Sequence, residues 1–167
     1  MAGIPEDAQK RLKIYLQDHF AGSVVGIELA RRTAKANRGT AFGGPLTRIA
    51  NEIEEDRDEL KRIMGSVDVS ADPIKSGIAW GAEKAGRLKR NGQLRGYSPL
   101  SRHLEIEGLI SGVIGKLSLW RSLSAIEPQD SRLDAARLGE LEDRAHDQLE
   151  RLHALSARAA VLAFGGS

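Results

Sequence analysis

Apolar residues recur three and four positions apart along several long stretches of this chain, and each of the longest stretches also carries ionisable groups on or beside the apolar stripe. The three-to-four spacing is the signature of amphipathic helices. The ionisable groups are His19 in the first stretch, Glu52 with Asp56 in the second, His103 with Glu107 in the fourth, and Glu142 with His146 in the fifth. A lone buried carboxylate or imidazolium costs several kcal/mol, so such groups must pair with one another, bind something, or stay wet at the bundle edge.

The apolar spacing predicts an all-α chain of one domain over residues 1–167, with helices at about 6–37, 46–64, 74–90, 99–124 and 131–162. In the first, Leu12, Tyr15, Leu16, His19, Ser23, Gly26, Ile27, Ala30 and Ala34 form the stripe, and Gly22, Gly26 and Ala30 are expected to admit a neighbouring helix closely. Gly39 to Pro45 is a glycine-rich turn, so the first two helices form a hairpin. The second helix turns Leu46, Ile49, Ile53, Leu60 and Ile63 inward, with Asp56 on the same spacing. Asp72 and Pro73 suit the start of a short third helix. The fourth is apolar almost all round and belongs at the centre; its Gly108, Gly112 and Gly115 again suggest close contacts. The fifth places Leu138, Leu141, Ala145, Leu149, Leu152, Leu155 and Ala159 inward.

Aromatics make up only 4% of the residues, which suits small-residue helix packing rather than a β-sandwich. With no cysteine there is no disulfide, thiolate catalysis or Cys-ligated metal, and a reducing, cytoplasmic setting is expected. No secretory signal is visible at the N-terminus. The most apolar run, Leu104 to Leu123, is broken by Glu105, Glu107, Lys116 and Arg121, so a transmembrane span is not expected.

Net charge is only +2, but seven Lys or Arg stand against one Glu between Lys75 and Arg102, whereas Glu52 to Glu59 holds six acids and one Arg. The favoured reading is complementary patches within one bundle or between protomers. The alternative is an anion-binding segment at residues 84–102, using Lys84, Arg87, Lys89, Arg90, Arg95 and Arg102, but no base-reading motif accompanies it and sequence-specific nucleic-acid binding is not expected. No Ser-His-Asp order, phosphate-binding loop or dinucleotide fingerprint is present.

Two hairpins joined by a long crossover make one of the known four-helix topologies. With Tyr15-Leu16-Gln17-Asp18-His19 in the first helix and Ile53-Glu54-Glu55-Asp56-Arg57 in the second, the chain resembles the ferritin-like superfamily in helix order, crossover position and acidic second helix. The resemblance implies a ferritin-like four-helix bundle of two helical hairpins, with a short extra helix in the crossover and a metal-carboxylate or oxidative role. A full di-metal set takes a Glu from two helices and Glu-x-x-His from the other two. Here only Glu150-Arg151-Leu152-His153 reads so, beside rather than within its stripe, and the second helix has no histidine.

Three functions follow as expectations. The favoured one is a non-catalytic structural or interaction protein, self-associating and without a cofactor, in which His19 and His103 pair across the bundle with Asp56, Glu52 and Glu107. The second is a metalloprotein with a redox or storage role, holding iron or manganese, or zinc, through His19, Glu52, Asp56, His103 and Glu107, or through a rival set of Glu142, His146, Glu150 and His153. For His103 and Glu107, four residues apart, the plainer expectation is a local pair. The third is a module for an anionic partner.

Overall fold

The computed structural model describes residues 4–71 and 97–165. Four long helices carry the fold: α1 (Glu6–Ala36), α2 (Gly43–Ser66), α3 (Pro99–Ile126) and α4 (Ala135–Phe164). A short 3-10 turn, Glu127–Gln129, follows α3. The all-α, four-helix expectation is met. The expected crossover helix at 74–90 lies outside the described residues.

Helix ends follow local chemistry. Ser98 accepts a hydrogen bond from the Ser101 amide with Pro99 in the first turn, so α3 starts where the sequence predicts. The second helix begins at Gly43 rather than Leu46, because Pro45 falls in the first turn, where its missing N–H has no intrahelical partner to lose. Gly43 is required there: a Cβ would lie 2.5 Å from the Asn37 carbonyl oxygen. The last helix starts at Ala135, not 131. Asp130 binds the Arg132 amide and guanidinium, which holds residues 130–133 in a turn, and Asp134 accepts from the Arg137 amide as the cap.

Cross-helix pairs give the directions. Arg31 meets Glu54 and Gln9 meets the carbonyl of Val67, the C-cap of α2, across α1 and α2, and Arg32 meets Glu105 while Tyr15 meets Ser122 across α1 and α3. Ser124 bonds Glu142 and Ser156 lies 3.4 Å from His103 across α3 and α4. Glu52 pairs with Arg151 and Glu59 with Arg137 across α2 and α4. Each of these pairs of helices is thus antiparallel, so α2 and α3 point the same way and the chain between them starts and ends at opposite ends of the bundle.

The core contains Leu16, Leu46, Ile49, Met64, Ile106, Leu119, Trp120, Leu123, Leu138, Leu141 and Leu152. Their burial supplies the main stabilising term. Two internal networks tie the ends. At one, wholly buried Asn37 donates to the Tyr97 hydroxyl at 2.7 Å and accepts from Arg102 at 2.5 Å, with Arg102 stacked over Phe42. At the other, Arg132 bonds Asp130, Asp68 and Gln9, and Gln9 bonds the Val67 carbonyl.

The glycine faces correct an expectation. A Cβ added at Gly26, Gly112 or Gly115 would meet nothing within 4 Å, so these glycines do not seat a neighbouring helix among the described residues. Of the three α3 glycines only Gly108 is approached among the described residues, by Leu29 Cδ2 at 3.0 Å. None of the described helices is long and apolar enough to cross a membrane.

Candidate functional site

The acidic face of α2 presents Glu52, Glu55, Asp56 and Glu59 at helical spacing, and the facing stripe of α4 presents Arg151, Gln148, Arg144 and Arg137 in the reverse order. The two rows meet as a seam. Arg151 forks onto both oxygens of Glu52 at 3.0 and 2.6 Å; Arg144 reaches Glu55 at 3.2 Å and also faces Asp56; Arg137 pairs with Glu59. Such bidentate guanidinium contacts fix register as well as contributing energy.

At the middle of the seam Asp56 is only 2% exposed and Gln148 not at all. Lys116 of α3 reaches them from the third side. Its ammonium bonds one Asp56 oxygen and donates to Gln148 Oε1 at 2.5 Å, while Gln148 Nε2 donates to Asp56 at 3.1 Å and to Glu52 at 3.2 Å. One buried carboxylate is therefore held by groups from two other helices. That is the pairing a desolvated charge needs.

Local electrostatics follow the same geometry. Burial pushes Glu52 up, but the Arg151 fork and the Gln148 amide more than offset it and leave the carboxyl below its ordinary range. Burial lowers Lys116, opposed by Asp56 beside it. Half-buried His19 is likewise lowered by burial, opposed by Asp18; its ring meets Tyr15 edge-on at 4.6 Å.

The residues expected to form a single metal set are split. Glu52 and Asp56 do come together, but around Lys116, Arg144 and Arg151 rather than around histidines. His19 faces a cavity between α1, α2 and α3 together with Asp18, Arg57 and Lys116. No carboxylate among the described residues pairs with it across the bundle. His103 and Glu107 form the local pair, 3.4 Å apart, with Ser156 and the Phe164 ring on the other helix against the imidazole. The cross-bundle His–carboxylate pairing expected from the sequence is thus replaced by Lys and Arg pairing, because long cationic side chains span the interhelix distance and keep their stems in the apolar layer.

The rival set is also dispersed. Glu142 bonds Ser124 at 2.6 Å and His146 Nε2 lies 3.1 Å from Arg121, while Glu150 and His153 are exposed. Among the described residues no group of three or more His, Asp or Glu side chains is placed to hold a metal ion. Of the anion-binding candidates, Lys84, Arg87, Lys89, Arg90 and Arg95 lie outside the described residues, and Arg102 is committed to Asn37 and Phe42.

Sequence reasoning missed Lys116, Arg144, Gln148 and Arg151. A signal for Gln148 exists: Leu138, Leu141, Ala145, Gln148, Leu152, Leu155 and Ala159 keep a strict three-four alternation, and all are buried. Preferring Leu149 for its hydrophobicity breaks that rhythm; Leu149 is only partly buried.

Stability should depend on pH in two windows. The fold lowers the pKa of His19, so His19's contribution is complete above its ordinary 6.5 and is lost as pH falls below that. The folded pKa values of Glu52 and Glu59 are also lowered, so their contribution is present above about 4.5 and lost as pH falls further. Melting curves across this range should show both losses. His19→Gln should remove the upper one and leave the lower; an unchanged upper loss would assign it elsewhere.

Comparison with known proteins returns no match to a family model, a curated protein or a solved structure.

Proposed function

We propose that this chain is a non-catalytic interaction protein with a ferritin-like arrangement of helices, in which the acidic second helix serves as a seam to α4 instead of a ligand set. The observation that carries this reading is the fate of the inward acids: Asp56 is held by Lys116 and Arg144, Glu52 by Arg151 and Gln148, and Glu59 by Arg137. A metal ion entering there would have to displace bound cations from buried carboxylates, against their mutual attraction. The antiparallel neighbours and same-sense α2 and α3 support the ferritin-like reading. Self-association belongs to the same proposal and is supported by the exposed Val161, Leu162 and Phe164 at the end of α4. A cytoplasmic setting is supported by the absence of cysteine.

Metal analysis of tag-free protein, reconstituted with iron, manganese and zinc and then desalted, tests the central claim. Less than about 0.1 equivalent of each is expected. Stoichiometric uptake that disappears in Asp56→Asn would overturn it and restore the metal reading.

A further inference from the structure

Glycines in a helix interior cost about 1 kcal/mol each relative to alanine, and a close helix contact is the usual compensation. Among the described residues that compensation is missing at Gly26, Gly112 and Gly115, where a Cβ would meet nothing within 4 Å. What they face is a cavity of about 690 Å³ between α1, α2 and α3, whose walls also include Gly22 and Gly108. Its size lies within the roughly 300–1,000 Å³ of small-molecule sites. Gly22 and Gly26 of α1 and Gly108, Gly112 and Gly115 of α3 put no side chains into this space, and Val25, Leu29, Ile53, Leu60, Leu109 and Val113 make the lining largely apolar.

A second feature belongs to the same lining. Lys116 lines the cavity, and its side chain is 14% exposed although it reaches the buried Asp56. An ammonium has three N–H donors. Two go to Asp56 and Gln148, and among the described residues the third has no acceptor. Charge selects what could take it. A cationic ligand would meet Lys116 and Arg57, and an anionic one would meet Asp18 and the Asp56 carboxylate. A neutral acceptor meets neither penalty.

We propose that this cavity binds a neutral, planar, largely apolar molecule whose single carbonyl oxygen accepts the third N–H of Lys116, with its ring faces against the glycine walls of α1 and α3. The proposal rests on the non-catalytic reading and names the ligand class for it.

Prodan, a neutral planar naphthalene ketone whose emission moves to the blue in apolar surroundings, is the probe. The full chain should bind it saturably, one to one, with a blue shift and with the carbonyl stretch lowered relative to prodan in hydrocarbon solvent. Gly112→Leu and Gly26→Leu fill the space and should each weaken binding about ten-fold or more with the melting temperature retained. Gly139→Leu, on α4 and open to space but outside the cavity, should leave it unchanged. Anilinonaphthalene sulfonate, an anion on a similar ring system, should bind at least about ten-fold more weakly. Absence of saturable prodan binding, equal binding by the Leu-filled variants, equal binding of the sulfonate, or an unshifted carbonyl stretch would each overturn the proposal. Metal uptake is measured separately, so failure of this site and failure of the non-catalytic reading give different results.

Discussion

Asp56→Ala should destabilise the bundle by about 3–5 kcal/mol in chemical denaturation, one of the largest effects of any single change in the seam. The carboxylate is 2% exposed and faces Lys116 and Arg144, so its removal leaves an ammonium and a guanidinium desolvated with only Gln148 and Glu55 as partial partners. Lys116→Met should cost less, because Asp56 keeps Arg144 and Gln148. Replacing Asp56 by Leu, Lys116 by Met and Gln148 by Leu together should recover most of the loss, since no unpaired buried charge remains and Arg144 still reaches Glu55. If Asp56→Ala lost under about 1 kcal/mol, the seam would have only the worth of a surface ion pair, and Asp56 would not be the compensating charge for Lys116 and Arg144.

Trp120→Ala should cost a similar 3–5 kcal/mol through loss of a wholly buried indole and the void left behind. The informative comparison is Trp120→Phe. Among the described residues the buried indole N–H has no hydrogen-bond partner, so a ring that lacks it sheds that penalty while keeping most of the packing; a loss of about 1 kcal/mol is expected. Equal losses for Ala and Phe would show that the N–H, not the ring, stabilises the fold. Both variants are read by denaturant midpoint at constant slope, which separates stability from a change in compactness.

The course of the long helices is legible in the sequence because their apolar spacing continues over many turns. Their ends are less so. Pro45 reads as part of a loop though a first turn accepts proline, and Ser131 falls inside the expected last helix although Asp130 and Asp134 together hold a turn before it. The site is legible in part. Asp56 and Glu52 stand out as inward acids in need of partners, and His103 with Glu107 as a local pair, and the structure agrees on both. Histidine is the cross-bundle partner that the stripes suggest, because imidazoles stand on them, while Lys116 reads as a charge that merely interrupts an apolar run.

The glycines carry the same distinction from the other side. Gly26, Gly112 and Gly115 mark a helix face free of side chains, and that much is local. Whether such a face closes on another helix or opens on a cavity depends on where the facing helix stands, which no spacing within one segment contains.

The sequence by itself determined the elements, since three-four periodicity, proline and capping residues act within a few positions, and it determined that buried ionisable groups would need partners, since desolvation cost belongs to the residue. The tertiary structure alone decided which partners those are and what space is left between α1, α2 and α3. The cross-helix pairings of Glu52 and Asp56 join residues 60 to 99 positions apart. Such contacts depend on how the antiparallel helices align, and that alignment is set by the packing of the core and the charge seam together.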